Sequence, residues 1–148
     1  MGKQKRIRKL LIVGCSKSKV WNRKKVAKYI PAKDAYTSSL FLLSKRYAEK
    51  FYSDRWFILS AKYGLIAPDK KISNYDITFV NGKGVISETK LRNQSRALLR
   101  NIDEAILLAG KDYFDRLKSA APNHLKIHIP LESKGLFDRI RWLKVRTS

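Results

Sequence analysis

The sequence predicts an α/β domain built around a parallel β-sheet of four strands. Four short runs rich in leucine, isoleucine and valine alternate along the chain with segments whose apolar residues recur at helical spacing. Strands that alternate with helices form parallel sheets joined by right-handed crossovers. At 148 residues, of which 44% are hydrophobic, the chain has the size and composition of one domain with one core.

The first half of the chain supplies two predicted strands and one helix. Residues 7–14 (IRKLLIVG) are apolar on both faces, as expected for a buried strand of a parallel sheet. Residues 15–35 follow as a long basic loop, and loops of that length often carry function. Thr37 is the predicted N-cap of a helix over residues 37–51, because the apolar residues there recur at helical spacing. Residues 55–60 (RWFILS) form the second strand.

The second half begins where Gly64 and Pro68 interrupt the regular pattern. The polar segment at residues 70–84 is either an irregular excursion or a small hairpin. Ser87 opens the next helix, since Ser-Glu-Thr-Lys offers an N-cap with an acid in the first turn. The remaining predicted elements are a strand at 105–109, a helix at 111–120, a strand at 125–130 and a helix at 135–144.

Positive charge is the most unusual property of the composition. The chain has 33 Lys and Arg against 12 Asp and Glu, a net charge of +21. Residues 1–30 hold 11 of these cations and no acid, and we predict a basic arm at residues 1–6 before a single domain at 7–148. A charge of this size opposes compaction, so we expect a polyanionic partner, most commonly nucleic acid, either DNA or RNA. A generally basic, solubilising surface is the alternative.

The cysteine and histidine content excludes two kinds of stabilising site. A single Cys cannot form a disulfide within the chain, and one Cys with two His does not supply the usual zinc ligand sets. No run approaches the length of a membrane span, and the apolar run after the basic N-terminus is too short for a signal peptide. We therefore predict a cytoplasmic protein with no metal and no cofactor.

Ligands of parallel sheets bind beyond the carboxyl ends of the strands, and that rule selects the segments GCSKSK, SAKYGL, AGKDY and PLESKG. GCSKSK lacks the second glycine of a P-loop, so we do not expect ATP or GTP hydrolysis. Its backbone N–H groups, serines and lysines suit a nucleic-acid phosphate, and the alternative is a solvated loop. The candidate base or phosphate contacts in and near these segments are Cys15, Ser16, Lys17, Lys19, Tyr36, Ser39, Ser60, Lys62, Tyr63, Ser133 and Lys134.

Three further residues are candidates for catalysis. Cys15 is either a nucleophile, with nearby lysines favouring the thiolate and His128 as the base, or a small buried residue. Asp34 and Asp76 are candidate catalytic carboxylates, because each can orient water or offset positive charge in a cleft. Capping of the first helix is the alternative role of Asp34.

Four motifs resemble those of a widespread family of small uncharacterised domains in bacteria, archaea and their viruses. The family pattern is G-C-S-x-x-K after a strand, then D-x-Y-x-S-x-L-F, L-S-A-K-Y-G-L and P-Y-D. The corresponding segments here are GCSKSK, DAYTSSLF, LSAKYGL and NYD, with Asn74 in place of the usual proline. The match covers residues 11–76, and the rest of the chain agrees mainly in the order of strands and helices.

That family is more remotely similar to the core domain of archaeosine synthase and to the uracil-DNA-glycosylase-like group of α/β folds. The C-S-x-x-K-P-Y-S-x-S motif of archaeosine synthase resembles the segments around Cys15 and Tyr36. The resemblance implies a three-layer α/β/α sandwich around a four-stranded parallel sheet. It also implies a nucleobase held at the strand ends, for glycosidic cleavage or for RNA modification. The glycosylase signatures G-Q-D-P-Y and H-P-S-P are absent from this chain, so activity does not transfer with the fold.

Together these observations predict an enzyme that acts on a nucleobase in DNA or RNA, with N-glycosidic cleavage as the most concrete reaction. Tyr36 and Tyr63 would line the base pocket, and Asp34 or Asp76 would serve the attacking water or the cation. The alternatives are a non-catalytic nucleic-acid-binding module, a tRNA base-modifying domain, and an auxiliary domain that associates with RNA or the ribosome.

Overall fold

A mixed five-stranded sheet lies at the centre of the computed structural model, which describes residues 6–80 and 83–148. The basic arm falls mostly outside the described residues, apart from Arg6. The strands are β1 (Lys9–Gly14), β2 (Ile30–Pro31), β3 (Trp56–Ser60), β4 (Gly64–Ile66), β5 (Lys71–Ile72), β6 (Glu104–Leu108) and β7 (Lys126–His128). The α-helices are α1 (Ala32–Ala35), α2 (Ser39–Phe51), α3 (Glu88–Leu99), α4 (Lys111–Ala120) and α5 (Leu136–Thr147), and Val20–Asn22 form a single 3-10 turn.

The strand order in the central sheet is β4-β3-β1-β6-β7. Strands β3, β1, β6 and β7 are parallel to one another, whereas β4 pairs antiparallel with β3. The prediction of an α/β fold is confirmed. The four predicted strands are present and parallel, but the sheet also contains a fifth, antiparallel strand that was not predicted. The chain reverses directly after β3 because Gly64 adopts a φ of 76°, which is unfavourable for a residue with a Cβ, and the following residues add a fifth strand.

The central position of strand β1 in the sheet explains why residues 10–13 are all apolar. Leu11 and Val13 pack on one face of the sheet with residues of α2 and α5. Leu10 and Ile12 pack on the opposite face with residues of α3 and α4. Helices therefore cover both faces of the sheet, and the carboxyl end of β1 lies between two helical layers.

Serine side chains cap the two helices whose starts the sequence predicts most directly. The Ser87 hydroxyl accepts a hydrogen bond from the Lys90 N–H at 3.1 Å, as predicted for the start of α3. At α2 the cap is Ser38, whose hydroxyl accepts from the Phe41 N–H at 3.1 Å, rather than Thr37. The first turn of α2 therefore begins one residue later than predicted.

The two irregular segments meet in a second, smaller sheet. Strand β2 at the end of the basic loop pairs antiparallel with β5, so the segment at 70–84 does not fold back on itself over its described residues. Asn81 and Gly82 lie outside the described residues. Among the helices of residues 6–80 and 83–148, none is long and apolar enough to cross a bilayer.

Candidate strand-end site

A pocket of about 240 Å³ lies at the carboxyl ends of β1 and β6. This position agrees with the general rule for ligand sites in parallel sheets. It is referred to below as the strand-end pocket. Its polar lining residues are Cys15, Ser16, Ser38, Ser44, Tyr113 and Arg139, and its apolar lining comes mainly from Leu40, Phe41, Leu108 and Ala109, with Gly14 and Gly110.

Gly14 allows β1 to end close to the neighbouring strand and helix. A Cβ built at Gly14 would lie 2.8 Å from the Ala109 Cβ and 3.3 Å from ring carbons of Tyr113. Both distances are shorter than the 3.5–4.0 Å at which carbon atoms pack best, by about 0.2–1.2 Å. The glycine therefore sets the close approach of β1 to α4 at one wall of the pocket.

The thiol of Cys15 is engaged in a hydrogen-bonded pair with Tyr113. The Tyr113 hydroxyl donates to the Cys15 carbonyl oxygen at 2.9 Å, and the Cys15 Sγ lies 3.3 Å from the same hydroxyl oxygen. Because a tyrosine hydroxyl has one proton, the thiol is the donor in the second contact. Burial is the main cause that raises the pKa of Tyr113. This geometry fits a structural cysteine better than an activated nucleophile.

His128 lies elsewhere, so its predicted role as the base for Cys15 is wrong. Its Nε2 lies 2.7 Å from an Oε1 of Glu104, the first residue of β6. In the sheet Glu104 pairs with Lys9, the first residue of β1, whereas Cys15 follows the last residue of β1. The hydrogen bond from His128 is the main cause that lowers the pKa of Glu104.

The His128–Glu104 pair belongs to a separate groove of about 640 Å³, lined by the first residues of β1 and β6 and by residues 127–130. Apolar and aromatic side chains, including Tyr47 and Trp142, form most of its lining. Glu104 in this groove is bonded to His128 and also forms an ion pair with Lys9 at 3.8 Å. The strand-end pocket, by contrast, combines a guanidinium, hydroxyls and a helix N-terminus.

Tyrosine and serine hydroxyls form a buried cluster beside the strand-end pocket. The Tyr75 hydroxyl lies 2.6 Å from that of Tyr36 and 2.9 Å from that of Ser60. Tyr36 is 1% exposed and Tyr75 is 7% exposed, and burial is the main cause that raises the pKa of both. The Ser60 hydroxyl also accepts from the N–H groups of Lys62 and Tyr63. The hydroxyls of Tyr36 and Ser60 are therefore bonded inside the fold, and their contacts with a base or phosphate stay a prediction.

Lys19 lies inside this cluster and not at the surface. Lys19 is only 2% exposed. Its Nζ donates to the Lys17 carbonyl at 3.1 Å and lies 4.3 Å from the centre of the Tyr75 ring. Burial lowers the pKa of Lys19, and the nearby Cys15 and Asp76 oppose that shift in part. Lys19 therefore makes its contacts inside the fold, and its contact with a phosphate stays a prediction.

The rest of GCSKSK divides between the pocket and the solvent. Ser16 lines the strand-end pocket, and its hydroxyl donates to the Ser18 carbonyl at 2.8 Å. Lys17 is exposed beside it.

The two candidate carboxylates lie outside the lining of the pocket. Asp34 on α1 is exposed and forms an ion pair with Lys45 of α2 at 3.2 Å. Asp76 is also exposed, directly after the buried Tyr75, and it is close enough to Lys19 to raise the pKa of that ammonium. Of the two, Asp76 is therefore the one associated with the hydroxyl cluster, and Asp34 belongs to a surface ion pair.

Other predicted contacts occupy the surroundings of the pocket. Ser39 is exposed at the first position of α2. Tyr63 is half-buried, with its hydroxyl 3.2 Å from that of Ser73, and the Lys62 Nζ lies 5.2 Å from the centre of the Tyr63 ring. The structure thus places Tyr63 and Lys62 together on the surface side of the hydroxyl cluster.

The turn before α5 positions a cation that the sequence did not identify. Ser133 adopts a φ of 63°, and the Lys134 carbonyl accepts a hydrogen bond from the Arg139 Nε at 2.8 Å. A Cβ built at Gly110 would lie 3.4 Å from an Nη of Arg139, so the guanidinium reaches the start of α4. Gly110 offers α4 no side-chain cap within the described chain. The Arg139 guanidinium therefore lies beside the N-terminus of α4, a combination that favours an anion.

Five lining residues of the pocket were not among the candidate contacts: Ser38, Ser44, Gly110, Tyr113 and Arg139. Two of them belong to AGKDY, a segment that the strand-end rule selects, so Gly110 and Tyr113 were within reach. Ser44 carried a weaker signal, a small polar residue four positions after Leu40 on the apolar side of a helix. Arg139 had no local signal, because its role depends on how α5 packs. Among the described residues, no group of three or more His, Cys, Asp or Glu is placed to hold a metal ion.

The pocket lies within a region that other proteins share. A family model described as a family of unknown function (DUF6884) matches residues 10–145. The chain belongs to the DUF6884 family. The uncharacterized protein YfjM of Bacillus subtilis (strain 168) is 37% identical over 134 residues, which cover 88% of this chain and 89% of YfjM. The expectation of an uncharacterised family of small domains is thereby confirmed, and the matched region of this DUF6884 member includes every residue of the strand-end pocket.

Proposed function

We propose that this DUF6884 protein is an enzyme that acts on a nucleobase of DNA or RNA, most concretely by cleaving an N-glycosidic bond. The strand-end pocket is the observation that carries the proposal. Its volume of about 240 Å³ equals that of about eight water molecules at ~30 Å³ each, which suits one heterocyclic base. Pockets for drug-sized ligands are larger, at about 300–1,000 Å³. A base would have to leave the stack to enter such a pocket.

The charge distribution supports a polyanionic substrate. The net charge is +21, and most lysines and arginines of the loop at residues 17–28 are exposed. Arg139 and Lys17 lie at the pocket or beside it, where they would hold the phosphates that flank the bound base. Lys62 beside Tyr63 would hold a further phosphate.

The motif resemblance supports the same proposal from a separate direction. Cys15 and Ser16, which resemble the C-S motif of archaeosine synthase, line the pocket. Helices cover both faces of a sheet in which β3, β1, β6 and β7 are parallel. A uracil-DNA-glycosylase-like architecture is part of the proposal. In it Asp76 orients the attacking water or stabilises the cation.

A non-catalytic module that binds a modified base is the second candidate. The position of the carboxylates favours it, because Asp34 and Asp76 are exposed and lie outside the pocket lining. A tRNA base-modifying domain, as the archaeosine synthase resemblance implies, would use the same pocket with a different reaction.

The decisive experiment is incubation with oligonucleotides of DNA and RNA that carry damaged or modified bases, followed by mass spectrometry. Release of a free base supports glycosidic cleavage, and a changed oligonucleotide mass supports base modification. Asp76→Asn should abolish product, whereas Asp34→Asn, which removes a surface ion pair, should retain it. Binding to the whole panel without product from any member would reject the enzyme in favour of the binding module.

A further inference from the structure

Ser44 is a buried polar residue in the strand-end pocket whose hydroxyl is unpaired. It lies in the middle of α2, is 1% exposed and lines the pocket. Its Oγ has no hydrogen-bond partner among the residues that the structure describes. Buried hydroxyls are nearly always paired, because leaving one unpaired costs stability.

The surrounding helix does not explain this hydroxyl. A serine or threonine within a helix usually donates to the carbonyl four residues earlier. Thr147 of α5 makes that bond, to the Leu143 carbonyl at 2.8 Å. Ser44 does not make the equivalent bond, so its hydrogen-bonding capacity remains free at the pocket.

The rest of the lining is suited to a flat heterocycle. Leu40, Phe41 and Leu108 provide apolar walls, and Arg139 provides a cation. Apolar walls with a few fixed polar groups are the usual composition of a small-molecule site, where the polar groups decide which ligand fits. The other hydroxyls of the lining are engaged: Ser16 donates to the Ser18 carbonyl, Ser38 caps α2, and Tyr113 binds Cys15.

We propose that the strand-end pocket receives the nucleobase itself and that the Ser44 hydroxyl hydrogen-bonds to the polar edge of the ring. Ser44 is then a specificity-determining residue. A hydroxyl can donate to a ring carbonyl or nitrogen and can accept from an amino group. A base that lacks a matching group would leave the buried hydroxyl unpaired and would be rejected. The inference rests on the proposed function only for the identity of the ligand as a nucleobase.

The test uses Ser44→Ala, with Ser95→Ala as a matched control. Ser95 in the middle of α3 is also fully buried and also has an unpaired hydroxyl within the described chain, but it lies outside the pocket lining. Both substitutions remove one oxygen and place the best helix former in a helix, so both variants should fold and melt at a temperature equal to or above that of the wild type.

The measurement is the affinity for nucleoside 5′-monophosphates of uracil, cytosine, adenine, guanine and hypoxanthine, followed by ligand-observed NMR. We expect the wild type to prefer some bases over others. Ser44→Ala should weaken the preferred ligand about tenfold and reduce the preference, whereas Ser95→Ala should leave both unchanged. Unchanged affinities in Ser44→Ala, or the absence of binding to every nucleotide in the wild type, would overturn the inference.

The result separates this inference from the proposed enzyme. If Ser44→Ala loses base preference while no oligonucleotide yields product, the base pocket stands and the enzyme is rejected. If oligonucleotides are processed and Ser44→Ala retains the base selectivity of the wild type, the enzyme stands and the role of Ser44 is rejected.

Discussion

Substitution of Gly14 by alanine tests the packing that forms the wall of the strand-end pocket. The new Cβ would lie 2.8 Å from the Ala109 Cβ and 3.3 Å from the Tyr113 ring, so β1 and α4 would have to move apart. Overpacking of this kind costs about 1–3 kcal/mol. Alanine also restricts the unfolded chain more than glycine does, which stabilises the folded state by about 0.4–1 kcal/mol. We therefore expect a net loss of about 1–2 kcal/mol in the free energy of unfolding.

Urea unfolding followed by tryptophan fluorescence measures this loss, and three tryptophans provide the signal. In a domain of this size, a loss of about 1–2 kcal/mol lowers the melting temperature by about 2–8 °C. Gly135→Ala is the control, because a Cβ at Gly135 would meet no described atom within 4 Å. If Gly14→Ala is as stable as the wild type, or no less stable than Gly135→Ala, the close approach of β1 to α4 does not limit the site as argued.

Three further predictions concern the hydroxyl cluster and the pocket cation. Tyr75→Phe removes the group that bonds Tyr36 and Ser60, so urea unfolding should show a loss of about 1–3 kcal/mol. The pKa of Tyr36 and that of Tyr75 are raised in the folded protein, so the stability that the two neutral hydroxyls contribute should be complete below pH ~10 and fall as the pH rises beyond it. In a pH titration, tyrosinate absorbance should therefore appear together with unfolding. Titration of these tyrosines in the folded protein near their ordinary pKa would contradict this. Arg139→Gln should weaken oligonucleotide binding about tenfold and reduce the slope of log K against log salt concentration by about 0.9. Arg141→Gln, at an exposed position outside the pocket lining, should have smaller effects. Equal effects of the two substitutions would show that Arg139 is not part of the site.

Local sequence signals predicted the secondary structure of this chain more reliably than its tertiary contacts. Helix α4 has its predicted bounds of 111–120, and Ser87 caps α3, because amphipathic spacing and capping act within a few residues. Strand β4 was not predicted. Gly64 visibly interrupts the sequence pattern, but the pattern does not show that the chain reverses there and pairs with β3.

The candidate site shows the same division between local and long-range information. The strand-end rule located the pocket, because the carboxyl ends of parallel strands converge whatever their sequence. It did not distinguish buried from exposed side chains, so Tyr36 and Lys19 were expected at a ligand and instead pack inside the fold. Arg139 reaches the pocket only through the packing of α5 and the turn at Ser133, which no local pattern encodes.

The burial of Lys19 affects how the basic loop meets any partner. Lys19 anchors the start of the loop, the Trp21 indole N–H donates to the Ala27 carbonyl at 2.9 Å, and β2 fixes the far end by pairing with β5. The exposed lysines between these anchors are therefore displayed on an ordered backbone before any partner arrives. Preorganised charge loses less conformational entropy on association than the same charge on a disordered tail. The burial of Lys19 thus lowers the entropy cost of binding through the exposed cations of the loop.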